Sequence, residues 1–170
     1  MSDMIFRLAA AADIDGIMEV IADGQEFIRS QGFVQWANGY PDRKTLLKDI
    51  AAGNAYALDG AGEIFGVAVA IPGEEPTYRI IHGGEWGSNV PYITIHRMGV
   101  RSSAHGKGAG GRLIAGVEGL CRERGISCIR MDTHRENKPM RGLVEKHGFT
   151  YRGVIHLLDG QERVAYDKLI

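Results

Sequence analysis

Six consecutive residues, Gly106-Lys107-Gly108-Ala109-Gly110-Gly111, place four glycines and a lysine between two different hydrophobic patterns. Before them, Tyr92 to Val100 is rich in β-branched and aromatic residues and favours a pleated, half-buried strand. After them, Leu113, Ile114, Val117, Leu120 and Cys121 recur at the spacing of one helix face. A strand that feeds a glycine-rich turn at a helix start suits one chemistry above others, the binding of a phosphate. The first helical turn has unpaired N–H donors and a partial positive charge, and an anion satisfies both. Glycines let the ligand approach the main chain because no Cβ intervenes. Lys107 and Arg112 add formal positive charge.

The remaining question is which phosphate. A nucleoside-triphosphate loop needs Gly-x4-Gly-Lys followed by Ser or Thr, and here Lys107 is followed by glycine, with no hydroxyl for magnesium. The dinucleotide fingerprint Gly-x-Gly-x-x-Gly is present as Gly106, Gly108 and Gly111, with Asp132 about 20 positions on. However, Arg101 to His105 separate the strand from the first glycine. Too little chain follows Asp132 for the remaining βαβ units.

Met98-Gly99-Val100, followed by His105-Gly106-Lys107-Gly108-Ala109-Gly110, resembles the acyl-CoA-binding signature of the GNAT (GCN5-related) N-acetyltransferases. In that family the signature is usually Arg or Gln, two residues, Gly, one residue, then Gly or Ala; His105 stands where Arg or Gln is usual. A second block is similar too: Met131-Asp132-Thr133-His134, then Asn137, Met140, Leu143, Lys146, Gly148 and Phe149, matching a strand, an Asn, a helix and a Gly-Phe ending.

The resemblance implies transfer of an acetyl group from acetyl-CoA to a primary amine by direct attack in a ternary complex. It implies that the backbone at Met98, Gly99 and Val100 pairs with the pantetheine arm. The amides of Gly106, Lys107, Gly108, Ala109, Gly110 and Gly111, with His105, would hold the diphosphate, and Asn137 would lie beside the pantetheine. A main-chain N–H near Met98 would face the thioester oxygen. The acceptor is an ammonium with a pKa of about 10.4, so roughly one molecule in a thousand is neutral at pH 7 and a base is needed. His96 is the first candidate, two residues before Met98 and so on the same strand face; Glu85 and His134 compete, as does His82. Each has a plain structural alternative as a packed or solvated side chain. Many members of the family carry a Tyr in the last helix that protonates the departing thiolate; Val144 occupies that position here.

The elements that must position these residues follow in order. Ile5–Leu8 is predicted as a strand, and Asp13 to about Ile28 as a helix with Ile14, Ile17, Met18, Ile21 and Ile28 on its inner face. Asp42 is the expected N-cap of a second helix that buries Leu46, Leu47 and Ile50 and ends at Gly53. Ala55–Leu58 and Ile64–Ile71 form a hairpin across Asp59-Gly60-Ala61-Gly62. A long polar connection from Pro72 to Pro91 holds Tyr78, His82, Glu85 and Trp86, and its length suggests function. Trp36, Tyr40, Tyr78 and Trp86 sit where the resemblance puts an acceptor site, or they pack loops onto the core. Strands at Ser127–Thr133, Thr150–Leu158 and Arg163–Leu169 and a helix at Pro139–His147 complete the chain. Gly116 and Gly119 lie inside a helix, where each costs about 1 kcal/mol against Ala, so close packing on the sheet is expected there. The expected fold class is mixed α+β in a single domain over residues 1–170. With the resemblance it becomes a GNAT-like central, mostly antiparallel sheet of about seven strands with a V-shaped splay, flanked by about four helices.

Bulk properties narrow the function classes. Net charge is −1, with 44% apolar and 24% charged residues, which fits a soluble globular domain and argues against a nucleic-acid partner. No apolar run is long enough for a membrane span and no leader pattern is seen, so the expectation is a cytoplasmic protein without a membrane partner. Two cysteines, Cys121 and Cys128, make no disulfide framework and are expected to be reduced and buried. No His, Cys, Asp and Glu cluster has metal-ligand spacing, so no metal is expected. A homodimer through an exposed edge of the final strands is an expectation from edge-strand chemistry. The rival from another class is a CoA-binding sensor or regulatory module with little turnover, for which Val144 is the best argument.

Overall fold

In the computed structural model, which describes residues 3–170, seven strands form one sheet: β1 (Ile5–Leu8), β2 (Ala55–Gly60), β3 (Glu63–Pro72), β4 (Ile93–Val100), β5 (Cys128–Thr133), β6 (Thr150–His156) and β7 (Glu162–Leu169). Their order is β1-β2-β3-β4-β5-β7-β6. The α-helices among the described residues are α1 (Ile14–Gln31), α2 (Arg43–Ala51), α3 (Ala109–Arg124) and α4 (Lys138–Lys146). The pairs β1/β2, β2/β3, β5/β7 and β6/β7 are antiparallel, whereas β4 and β5 run parallel through Ile93↔Ile129 and Thr94↔Arg130. This is the expected mixed α+β class, with a mostly antiparallel sheet. The chain packs as two compact units, one containing the residues up to Ala70 with His96–Gly116, the other Ile71–Ile95 with Val117–Ile170.

In the first unit, β2 and β3 extend closer to their turn than the composition suggested. Two residues, Ala61 (φ 55°) and Gly62 (φ 93°), make the whole connection. Positive φ at both central positions lets a two-residue turn follow the right-handed strand twist. Asp59 fastens this turn: it accepts from Gly62 N at 2.8 Å and from Arg7 Nε at 2.9 Å. Arg7 also forks onto Asp13 at 2.8 and 2.9 Å, tying β1 to the start of α1 and holding the Asp13 carboxyl below its ordinary range. Helix α1 buries Ile14, Ile17, Val20, Ile21 and Ile28. It runs three residues past the expected end, to a left-handed Gly32 whose N–H donates to Arg29 O.

Helix α2 has the expected cap, with Asp42 accepting from Thr45 N at 2.8 Å. The expected inner face is corrected in one respect: Leu46 is fully buried, but Leu47 is exposed and Asp49 is buried in its place. Periodicity counts an acid as outward-facing, whereas Asp49 is drawn in by a cation described below. Gly116 of α3 supports the close-packing expectation, since a Cβ there would lie 2.3 Å from the Phe6 ring.

In the second unit, Tyr78, Tyr92, Cys128, Ile155 and Ala165 form a core cluster with Ile81, Trp86 and Leu157 against it. The long connection after β3 is thus ordered by burial of its own aromatics. Tyr78 Oη donates to Asp132 at 2.6 Å, Trp86 Nε1 donates to Tyr78 O at 3.0 Å, and Gly87 N donates to Asp167 at 2.7 Å. His82 and Val154 of β6 exchange two backbone hydrogen bonds of 2.8 Å. Of the two final strands, β7 is interior, between β5 and β6, and β6 is the edge of the sheet, bridged to His82 at Val154. Gly84 lies so close to Arg152 O that a Cβ would overlap it. Gly119 of α3 has open space where its Cβ would be, and nothing in the structure explains it. Both cysteines are free and buried, and burial pushes the Cys121 thiol up to about 11. No helix among the described residues is long and apolar enough to cross a membrane.

Candidate active site

The glycine loop lies in the first unit and is built from its ends inward. After β4, Arg101 donates its backbone N–H to Phe65 O at 2.8 Å and its side chain to Ile64 O at 3.0 Å and Glu19 at 2.6 Å. A 3-10 turn at Ser102–Ala104 follows, and Ser102 donates through N and Oγ to Asp23 of α1 at 2.8 and 2.9 Å. Ala104 and Ala109 are buried on either side of the exposed stretch His105–Gly108 and pin it at both ends. Gly106 (φ 72°) and Gly108 (φ 79°) both take the left-handed region, which glycine enters without steric cost. A Cβ at either would meet only open space, so the glycines serve backbone conformation rather than packing within the protein.

The loop ends in a helix start whose first intrahelical bond runs from Arg112 N to Gly108 O, at 3.0 Å. The N–H groups of Ala109, Gly110 and Gly111 therefore precede any acceptor within the helix, and they carry its positive end. That donor set fits a diphosphate. Lys107 is exposed beside it. Two neighbouring side chains are engaged within the protein. Arg112 donates to Met4 O at 3.1 Å, so its charge is anchored at the β1 end. The His105 ring stands edge-on to Phe27 at 5.2 Å with Nε2 3.3 Å from Val100 O, so that side chain braces the loop.

Strand β4 contains a feature that the sequence did not reveal. Its large apolar side chains are buried at Ile93, Ile95 and Met98, a step of two residues and then of three. The extra residue is Arg97, whose φ is 46°. A non-glycine residue in the left-handed region costs on the order of 1–3 kcal/mol and persists where its surroundings over-determine it. Here the guanidinium donates from Nε and Nη2 to the two oxygens of Asp49, both at 2.7 Å, and from Nη1 to Tyr40 Oη at 3.1 Å. Alternation therefore cannot be carried from His96 to Met98, and the argument that they share a face is corrected by the slip at Arg97. His96 is half-buried. Gly99 faces the aromatic loop between α1 and α2: a Cβ there would lie 3.5 Å from both Trp36 and Val20. The only advance signal for the ion pair was an acid three residues after Leu46, on the inner side of α2.

The other candidates lie in the second unit. His134 Nδ1 accepts from Glu136 N at 3.0 Å. Burial, with Arg163 nearby, lowers its pKa below the ordinary histidine value, so the ring is neutral at pH 7 with its proton on Nε2. Asn137 is buried and caps α4, its Oδ1 accepting from Met140 N at 3.2 Å. Glu85 and His82 are exposed, and the His82 ring lies edge-on to His156 at 5.1 Å. Val144 is fully buried. Trp86 and Tyr92 flank the Arg130 guanidinium at 4.2 and 4.1 Å, so Trp86, like Tyr78, is engaged in packing. Sequence reasoning did not single out Tyr166, whose buried hydroxyl accepts from Arg141 Nε and donates to Glu145 Oε1, both at 2.9 Å.

Comparison with known proteins bears on this geometry. The family model described as Acetyltransferase (GNAT) family matches residues 23–149. No curated protein matches. Among solved structures, a GNAT-family acetyltransferase from Streptococcus agalactiae is 33% identical, with a TM-score of 0.87 over 98% of this chain and 95% of that one. An N-acetyltransferase, PaiA, from Thermoplasma acidophilum in complex with coenzyme A is 15% identical, with a TM-score of 0.75 over the whole of both chains. A ribosomal-protein-alanine N-acetyltransferase from Brucella melitensis is 18% identical, with a TM-score of 0.70 over 98% of this chain and 99% of that one. The last two are likenesses of fold.

Proposed function

This chain belongs to the GNAT family of acetyl-CoA-dependent N-acetyltransferases, and from that premise we propose that it moves the acetyl group of acetyl-CoA onto a primary amine by direct attack in a ternary complex. The observation that carries the reading is the α3 start, where the N–H groups of Ala109, Gly110 and Gly111 precede the first helical bond behind two left-handed glycines. These donors, with the N–H groups of Gly106 and Gly108 and the Lys107 ammonium, bind the diphosphate of CoA; the Lys107 N–H itself donates to Ala104 O at 3.3 Å. Acetyl-CoA supplies the activated acyl carbon. The chain's own part is to bind, to orient and to move a proton.

The backbone at Met98, Gly99 and Val100 pairs with the pantetheine, and an N–H at Met98 donates to the acyl oxygen as negative charge builds there. Bringing the acceptor to its neutral form costs about 4–5 kcal/mol at pH 7, so a base is required. His96 is the favoured base, because it belongs to the same strand segment as Met98. Glu85 is the second candidate. His134 suits the role less well, since its Nδ1 lone pair is engaged by Glu136 N and the remaining nitrogen is a donor. Asn137 is carried from the family motif as a pantetheine contact. The acceptor is a small-molecule or peptide amine.

Titration calorimetry with CoA and with pantetheine tests the diphosphate grip. CoA is expected to bind at least roughly tenfold more tightly, since each charge-assisted hydrogen bond contributes ~1.5–3 kcal/mol. Gly108→Glu is expected to abolish the difference, and equal affinities would overturn the reading. Thiol release with agmatine, spermidine and an alanine-terminated peptide then tests turnover. A second reading, a CoA-responsive regulatory module, is favoured by the buried Val144 where the family usually has a Tyr. CoA binding with no thiol release on any amine would select it.

A further inference from the structure

We infer that Arg97 and Asp49 are positioning residues, an ion pair that holds the β4 backbone in its left-handed turn and so aims the Met98 N–H at the acyl group. The inference rests on the acetyl-CoA reading above and deepens it.

Four observations combine. First, the turn falls at Arg97, immediately before the residue that carries the proposed donor. An extra residue in a strand breaks the ladder locally and re-aims the peptide groups around it. Second, glycine is the residue that enters φ 46° without cost, yet this position holds a long charged side chain. The preference for arginine therefore lies in what its side chain grips. Third, the grip commits all three guanidinium nitrogens to partners within the protein. Nε and Nη2 go to the two Asp49 oxygens and Nη1 to Tyr40, with 13% of the Arg97 and 11% of the Asp49 side chain exposed. Fourth, Asp49 sits on the inner side of α2, where an apolar residue would stabilise the helix at least as well. A buried ion pair is often no more stabilising than well-packed hydrophobic residues of similar volume. Stability alone does not explain the pair, whereas a fixed backbone geometry does: the two parallel bonds set the direction of the guanidinium and, through it, of the Arg97 Cα.

The test uses the full chain with Arg97→Met, Asp49→Leu and the double variant, read by calorimetry with CoA and acetyl-CoA and by melting temperature. The wild type is expected to bind acetyl-CoA about three- to tenfold more tightly than CoA, the share of one hydrogen bond to the acyl oxygen. Each single variant leaves one buried charge unpaired, so it melts lower and loses the acetyl preference, while its CoA affinity stays within about twofold of wild type. In the double variant both charges are gone, so the melting temperature recovers but the acetyl preference does not. A preference that returns together with the melting temperature, or that survives in the double variant, shows a purely structural pair and overturns the inference. A wild type that binds CoA without any acetyl preference overturns it as well, and leaves the diphosphate reading standing. A wild type that binds neither ligand removes that reading, and the inference with it.

Discussion

Arg97 and Asp49 are 48 residues apart in the chain, yet two hydrogen bonds of 2.7 Å join them side by side. The pair links the strand that carries Met98 to a helix that otherwise has no part in the site. Loss of either partner is expected to cost ~3–5 kcal/mol of folding free energy, because the survivor is a buried, uncompensated charge. Chemical denaturation of Asp49→Leu and Arg97→Met checks this, and a loss below about 1 kcal/mol, the range of a surface pair, would show that water reaches the pair freely.

The two glycines inside α3 are expected to respond in opposite directions. Gly116→Ala forces a Cβ into the Phe6 ring and is expected to destabilise by ~1–3 kcal/mol, more than the gain in helix propensity returns. Gly119→Ala meets open space and is expected to stabilise by up to about 1 kcal/mol. Thermal melts of the two variants should fall on either side of the wild type.

His134 should make stability depend on pH. Its folded-state pKa lies below the unfolded one, so between the two values the unfolded chain binds more protons and stability rises with pH. The contribution is complete above the ordinary histidine pKa of about 6.5 and is lost as pH falls through the folded value. His134→Gln should flatten the melting-temperature profile over that window, and an unchanged profile would show that the ring is not desolvated.

The thiols offer a further check. Burial raises both, Cys121 to about 11, so neither is a thiolate at neutral pH. A thiol reagent should label neither in the native protein at pH 7.5 and both after unfolding in urea. Rapid native labelling of Cys121 would contradict its burial.

The glycine loop between a strand and a helix, the order of strands and helices, and the two motif blocks were legible in the sequence. Each depends on neighbours along the chain: glycine spacing, a change of hydrophobic period, an N-cap. The helix starting at Ala109 and the capped α2 appear where local pattern put them, with ends shifted by a few residues. What only the tertiary structure decided are relations between residues distant in sequence. Leu47 was expected inside, because a helical pattern ranks residues by polarity, yet Leu47 is exposed and Asp49 is drawn in by a cation from β4. Alternation was extended through Arg97, because a period of two contains no signal for an extra residue. Arg112 was counted toward the anion site by its position beside the glycines and His105 by the family signature; their side chains turn to Met4 and Phe27. Local sequence determines where donors can be exposed; the long-range pairing of buried charges and rings determines where side chains and strand faces point.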